Sequence, residues 1–183
     1  MVAGGVALLS VVAWACSSGG DDAALSLDDL RDAGDGCPVD LAGSDLVADQ
    51  VGEVEVEVTE GSGDGGLDDA AIDQAGGVYV ECRLSGAGGT LAVVYASEQP
   101  GALGLLLPQL QSDLDLAADD LEVVMAAFDD TDGGDLVELS AEGPVAVARL
   151  DVDGAESAVL YVSTDGATPA EVHDATEAML DAL

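Results

Sequence analysis

Lysine is absent from this chain of 183 residues, and its only strong cations are Arg31, Arg83 and Arg149, set against 38 Asp and Glu for a formal net charge of −35. A surface of that sign repels phosphate backbones, whose capture needs clustered Lys and Arg, so nucleic acid is not expected as a partner. The missing lysine also removes the P-loop, the Schiff base and the Ser/Lys dyad from the catalytic repertoire. Histidine occurs once, as His173 within "EVHDAT". Any nucleophile–base scheme would have to run through it, and its place inside a helical pattern reads instead as a surface or boundary residue. Aromatic residues are only 3% of the chain, which leaves a glycosidase-like carboxylate pair without platforms for a sugar. A hydrolase is therefore the weakest of the functional readings, and no cofactor is implied.

Apolar residues, by contrast, make up 49% of the chain. Acidity with few aromatics also describes disordered chains, but here the apolar residues recur with strand and helix periods. That pattern predicts one folded acidic domain over residues 25–183, monomeric, with its self-repulsion relieved by salt or divalent cations.

Residues 2–15, "VAGGVALLSVVAWA", are uncharged and apolar over 14 positions, short of the roughly 20 that span a bilayer. The segment 1–15 reads as a signal peptide. Ala13 and Ala15 ahead of Cys16 resemble the lipobox of bacterial lipoproteins, in which the Cys receives a diacylglyceryl thioether and the preceding peptide is removed. Ala13 and Trp14 depart from the Leu and small residue preferred there, and no Lys or Arg precedes Cys16. The "SSGGDD" that follows suits a flexible tether over 16–24. With Cys16 assigned to lipid, Cys37 and Cys82 remain as an even pair, expected to form a disulfide in an oxidising compartment. A bridge across those 45 positions would stabilise the fold by about 4 kcal/mol. A zinc site is disfavoured, because two Cys and His173 do not complete four ligands.

"LSLDDLRDAG" (25–34) predicts a short helix capped by Ser26 and stopped at Gly34. In "EVEVEVTE" (53–60), Val54, Val56 and Val58 alternate with Glu53, Glu55 and Glu57, the period of a half-buried strand. An internal likeness follows: residues 77–97 laid on 143–163 at an offset of 66 agree at eight of 21 positions, including Gly77/Gly143, Arg83/Arg149 and Tyr95/Tyr161. Each copy reads as strand, Gly-containing turn, strand. Each precedes a helical segment: 101–114, expected to be kinked or shortened by Pro108, and 168–183. The latter has Thr168 as cap, Pro169 at the first position, Glu171 closing a capping box, and Val172, Ala175, Met179 and Leu183 on one face. "LEVVMAAFDD" (121–130) carries two patterns. The offset makes it a counterpart of the Glu/Val strand, while Ala117, Leu121, Val124 and Phe128 form a helical stripe; strand is favoured. The expected architecture is α+β: a mostly antiparallel sheet from two βββα-like repeats, about 53–115 and 119–183, backed by helices.

Asp gathers in Gly-rich turns at "GDGGLDD" (63–69), "DVDG" (151–154) and "DDTDGGD", the last containing Asp129, Asp130, Asp132 and Asp135. These read as solvated turns, with weak divalent-cation binding as the alternative, although none has EF-hand spacing. Glu53, Glu55 and Glu57 carry the same two readings. Arg83 and Arg149 are expected in structural ion pairs, or otherwise at an anion contact.

Cys16, the tether, the cysteine pair and the hairpin–helix order resemble small bacterial envelope lipoproteins of the actinobacterial type. That resemblance implies a lipid-anchored protein on the outer face of the cytoplasmic membrane that binds a hydrophobic ligand or an envelope partner without catalysis. The alternative is an acidic structural or interaction protein that binds cations or basic partners.

Overall fold

The computed structural model describes residues 25–34, 36–41, 54–59, 69–84, 89–139 and 143–183. Its strands are β1 (Val54–Thr59), β2 (Val78–Leu84), β3 (Thr90–Ser97), β4 (Val145–Leu150) and β5 (Ser157–Thr164). They form one sheet in the order β1-β2-β3-β5-β4, and every neighbouring pair is antiparallel. The helices are α1 (Leu27–Arg31), α2 (Asp69–Gln74), α3 (Leu103–Leu114), α4 (Ala118–Asp130) and α5 (Pro169–Leu180). The fold is thus α+β.

Alternation along the strands divides the apolar residues between two cores. On one face Val80, Cys82, Leu84, Val94, Leu150 and Leu160 pack against Leu27 and Leu30 of α1, the segment Val39 to Leu41, and Val172 and Met179 of α5. On the other, Tyr79, Val93, Tyr95, Val147, Val159 and Tyr161 meet Ile72 of α2, Leu103, Leu106 and Leu110 of α3, and Val124 and Phe128 of α4. Helices therefore cover both faces, and the central strands β3 and β5 are buried almost throughout. In β1 only half the alternation is buried: Val56 and Val58 are half-buried while Glu55 and Glu57 are exposed, as expected of an edge strand.

The caps read from sequence form as expected. Ser26 accepts from the Asp29 N–H at 3.1 Å while the Asp29 carboxylate accepts from the Ser26 N–H at 3.0 Å. Thr168 and Glu171 make the same reciprocal pair at 3.3 and 2.8 Å. The first helix ends at Arg31, before Gly34, and Leu183 lies beyond α5, 41% exposed, instead of on its buried face.

Three expectations are corrected. Residues 121–130 are helical. As α4 they bury Val124 and Phe128 on one side and leave Glu122, Val123, Asp129 and Asp130 outside, whereas a strand would have put apolar side chains on both faces. The Asp120 carboxylate accepts from the Ala117 N–H at 3.0 Å and starts the helix. The second unit is therefore not βββα. Its outer sheet edge is met by a short stretch instead, with the Val137 N–H donating to the Val147 carbonyl at 2.8 Å and the Arg149 N–H to the Asp135 carbonyl at 3.0 Å. Second, α3 is not shortened at Pro108 but continues through it, for 12 residues in all. The carbonyl that the proline leaves without a donor belongs to Gly104, and both residues are exposed, so water can satisfy it. Third, α2 begins at Asp69, the last residue of the stretch read as an acidic turn, and is anchored by a fully buried Ile72.

Candidate functional site

The face that carries the tyrosines is not covered evenly. Helix α3 lies over the middle of the sheet, and the strip formed by Glu55 and Glu57 of β1 with Glu81 and Arg83 of β2 carries polar side chains. A groove runs between α3 and this strip. Its narrower part, about 320 Å³, is walled by Leu91 and Val93 of β3, Leu105, Leu106 and Pro108 of α3, and the rings of Tyr79 and Tyr161. Its wider part, about 450 Å³, lies at the end of the sheet among Glu55, Asp113, Pro144, Val145, Thr164 and Asp165. Arg83, Leu91 and Gln109 line both parts.

Sequence spacing places the polar groups. Tyr79, Glu81 and Arg83 alternate along β2 and so share a face. The Tyr79 hydroxyl donates to Glu81 Oε2 at 3.0 Å, and Arg83 Nε donates to Glu81 Oε1. Across the ladder, Glu55 faces Arg83 and Glu57 faces Glu81. The second of these is a like-charge pair, which opposes strand pairing, and the Arg83 guanidinium offsets it. Arg83 itself is exposed over 60% of its side chain, against 14% for Glu81. On the other wall the Tyr161 hydroxyl donates to Asp113 of α3, tying that helix to β5.

Burial pushes both Tyr79 and Tyr161 well above the ordinary phenol range. The charge of Glu81 and its hydrogen bond add to the first shift; the hydrogen bond and charge of Asp113 add to the second. Both phenols are therefore neutral donors at physiological pH. The groove combines an apolar slot, two neutral hydroxyls already committed to carboxylates, and a mouth with more carboxylates than cations. That set suits recognition by shape and charge.

Helix α3 is held at both ends. The Ala102 N–H at its start donates to the buried Ser157 hydroxyl of β5 at 3.1 Å. At its C-terminus Asp115 adopts a left-handed backbone with φ 50°, and Gln111 Nε2 donates to the Leu116 carbonyl at 3.1 Å.

The residues singled out from sequence fall elsewhere. Cys37 and Cys82 form a disulfide with a Cα–Cα separation of 5.8 Å, joining the segment after α1 to the buried face of β2, away from the groove. Cys16, Glu53 and residues 63–68 lie outside the described residues. Asp129 and Asp130 end α4, and Asp132 and Asp135 follow it, yet what gathers there is backbone oxygen around a cation. Arg149 Nη1 donates to the carbonyls of Asp129 and Thr131, each at 3.0 Å, and its guanidinium sits 5.8 Å from the Phe128 ring centroid. Among the described residues no three His, Cys, Asp or Glu side chains come together as a metal set. Among the described residues Arg149 caps a helix end and makes no ion pair, complementing the partial negative charge there, whereas Arg83 makes the pair expected of it. In "DVDG", Asp153 is engaged through its backbone, exchanging hydrogen bonds with Leu25 and Leu27 at 2.8 and 3.0 Å. His173 is half-buried on α5, on the opposite side of the sheet from the groove.

The groove residues Tyr79, Glu81, Leu105, Gln109 and Asp113 were not singled out from sequence as a site. The alternation of polar residues along β2 was the available signal, but nothing local shows that α3 stops short of it. Among the described residues no helix is long and apolar enough to cross a membrane. Compared with protein-family models, curated proteins and solved structures, the chain matches none of them.

Proposed function

We propose that this chain is a non-enzymatic binding module, held by lipid on Cys16 at the outer face of the cytoplasmic membrane, whose ligand site is the groove between α3 and the sheet. The observation that carries the binding reading is the slot walled by Leu91, Val93, Leu105 and Leu106. Elsewhere the same face of the sheet is filled by α2, α3 and α4, and a slot of about 320 Å³ lies at the small end of the range for small-molecule sites. The lipid anchor is supported by the sequence ahead of Cys16 and by the tether after it. The Cys37–Cys82 bridge accords with an oxidising compartment.

A second reading, an acidic interaction protein for basic partners, is favoured by Glu55, Asp113 and Asp165 at the groove mouth. Both readings use the same place.

Two measurements test the proposal. Titration of n-octanol into methyl-labelled full-length chain should shift the methyl resonances of Leu91, Val93, Leu105 and Leu106 saturably, with others little changed. Absent or uniform shifts would sink the groove as a site. Intact mass of membrane-extracted protein should show a diacylglyceryl adduct on a chain beginning at Cys16, and an unmodified chain beginning at Met1 would sink the anchor.

A further inference from the structure

We propose that the groove takes a small organic cation, an ammonium or guanidinium carried on an apolar body. The charged end sits among Glu55, Asp113 and Asp165, and the body lies between Leu105 of α3 and the sheet. The inference rests on the groove being a binding site and adds the charge and shape of what fills it.

The two parts of the groove differ in chemistry and adjoin, sharing Arg83, Leu91 and Gln109 as walls. Beside the Glu81–Arg83 pair and Gln109, the narrow part offers leucine and valine walls, which favour an apolar body by removing its surface from water. Among the described residues the wide part is bounded by three carboxylates, and its only cation is Arg83. That guanidinium is already turned toward Glu81 through Nε and faces Glu55 across the ladder. An anionic head would therefore meet an excess of carboxylates in exchange for one partly engaged arginine. A cationic head meets the excess directly, and the adjacent apolar wall lowers the local dielectric and strengthens the attraction. The phenols of Tyr79 and Tyr161 already donate to Glu81 and Asp113, so they hold these carboxylates in place without competing for the ligand. A bare divalent ion fits less well, because it would leave the apolar slot unused and finds no ligand cluster among the described residues.

The test is calorimetric titration of the full-length chain at constant ionic strength with four probes: n-octylammonium, n-octanol, n-octanoate and methylammonium. Octylammonium should bind saturably at one site, about tenfold or more tighter than octanol, with octanoate and methylammonium weaker than either. Asp165→Asn, in an exposed turn, should weaken octylammonium roughly three- to fivefold and leave octanol unchanged. Glu177→Gln, on the exposed side of α5, should change neither. Equal binding of octanol and octylammonium would overturn the cation while leaving the groove reading intact; failure of both would overturn both. Methylammonium matching octylammonium, or Glu177→Gln matching Asp165→Asn, would show attraction by overall charge and overturn the proposal.

Discussion

Val94 of β3 and Leu160 of β5 are direct partners across the central ladder, and they occupy matching positions of the two stretches that are alike in sequence, 66 residues apart. The two hairpins thus meet about a local two-fold axis at the middle of the sheet. Tyr95 and Tyr161, also matched, lie on either side of that axis and face the same core. Their surroundings differ. Tyr161 reaches Asp113 at the groove, while Tyr95 lies against Gly77.

The Tyr95 contact explains the glycine. A Cβ placed on Gly77 would stand 2.8 Å from both Cε2 and Oη of Tyr95, and a buried aromatic ring cannot give way cheaply. Gly77→Ala should destabilise the fold by about 1–3 kcal/mol. Combined with Tyr95→Leu, most of the loss should be recovered. Urea denaturation of the two single variants and the double variant measures this, and simple additivity would refute the clash.

Reduction of Cys37–Cys82 frees a loop spanning 45 residues. We expect a loss of about 4 kcal/mol, or about 10 °C in Tm for a domain of this size. Thermal melts with and without a thiol reductant check it. An unchanged midpoint would mean that the denatured chain gains no freedom from release.

Arg149 ties the end of α4 to β4 through the carbonyls of Asp129 and Thr131 and the ring of Phe128. Arg149→Leu leaves those carbonyls without their donor and should cost about 2 kcal/mol. Hydrogen exchange should quicken first in the last turn of α4. Loss of protection spread evenly over the domain would show that the contact does not act locally.

Alkali should unfold the domain through its tyrosines. Tyr79, Tyr95 and Tyr161 all have folded pKa values raised above the ordinary phenol value, chiefly by burial. The folded state therefore holds its phenol protons more tightly than the unfolded chain. The resulting stability is complete below about pH 10 and is lost as pH rises beyond it. Tyrosinate absorbance should appear late and in step with loss of the near-ultraviolet circular dichroism. Full ionisation near pH 10 with the fold intact would contradict the burial of these phenols.

Period and capping were legible in the chain itself. The Val/Glu alternation of β1, the Ser26 and Thr168 caps, the paired hairpins and the partnership of Cys37 with Cys82 depend on neighbours in sequence or on simple cysteine arithmetic. Residues 121–130 were not legible in that way. Their apolar residues satisfy strand and helix periods alike, and packing of Val124 and Phe128 against the sheet decides for helix. Arg83 and Arg149 occupy identical places in the two stretches that are alike in sequence, yet one pairs with Glu81 on its own strand and the other caps α4.

By itself, then, the sequence determined the capped helices α1 and α5, the strands of the two hairpins and the acidic composition, because propensity, period and charge are properties of composition and order. Only the tertiary structure decided that α4 is a helix, that Arg149 reaches its carbonyls, and that α3 leaves a slot beside Tyr79 and Tyr161. Those outcomes depend on which surfaces meet across distances of 18 or more residues, and no local pattern encodes the space left between a helix and a sheet.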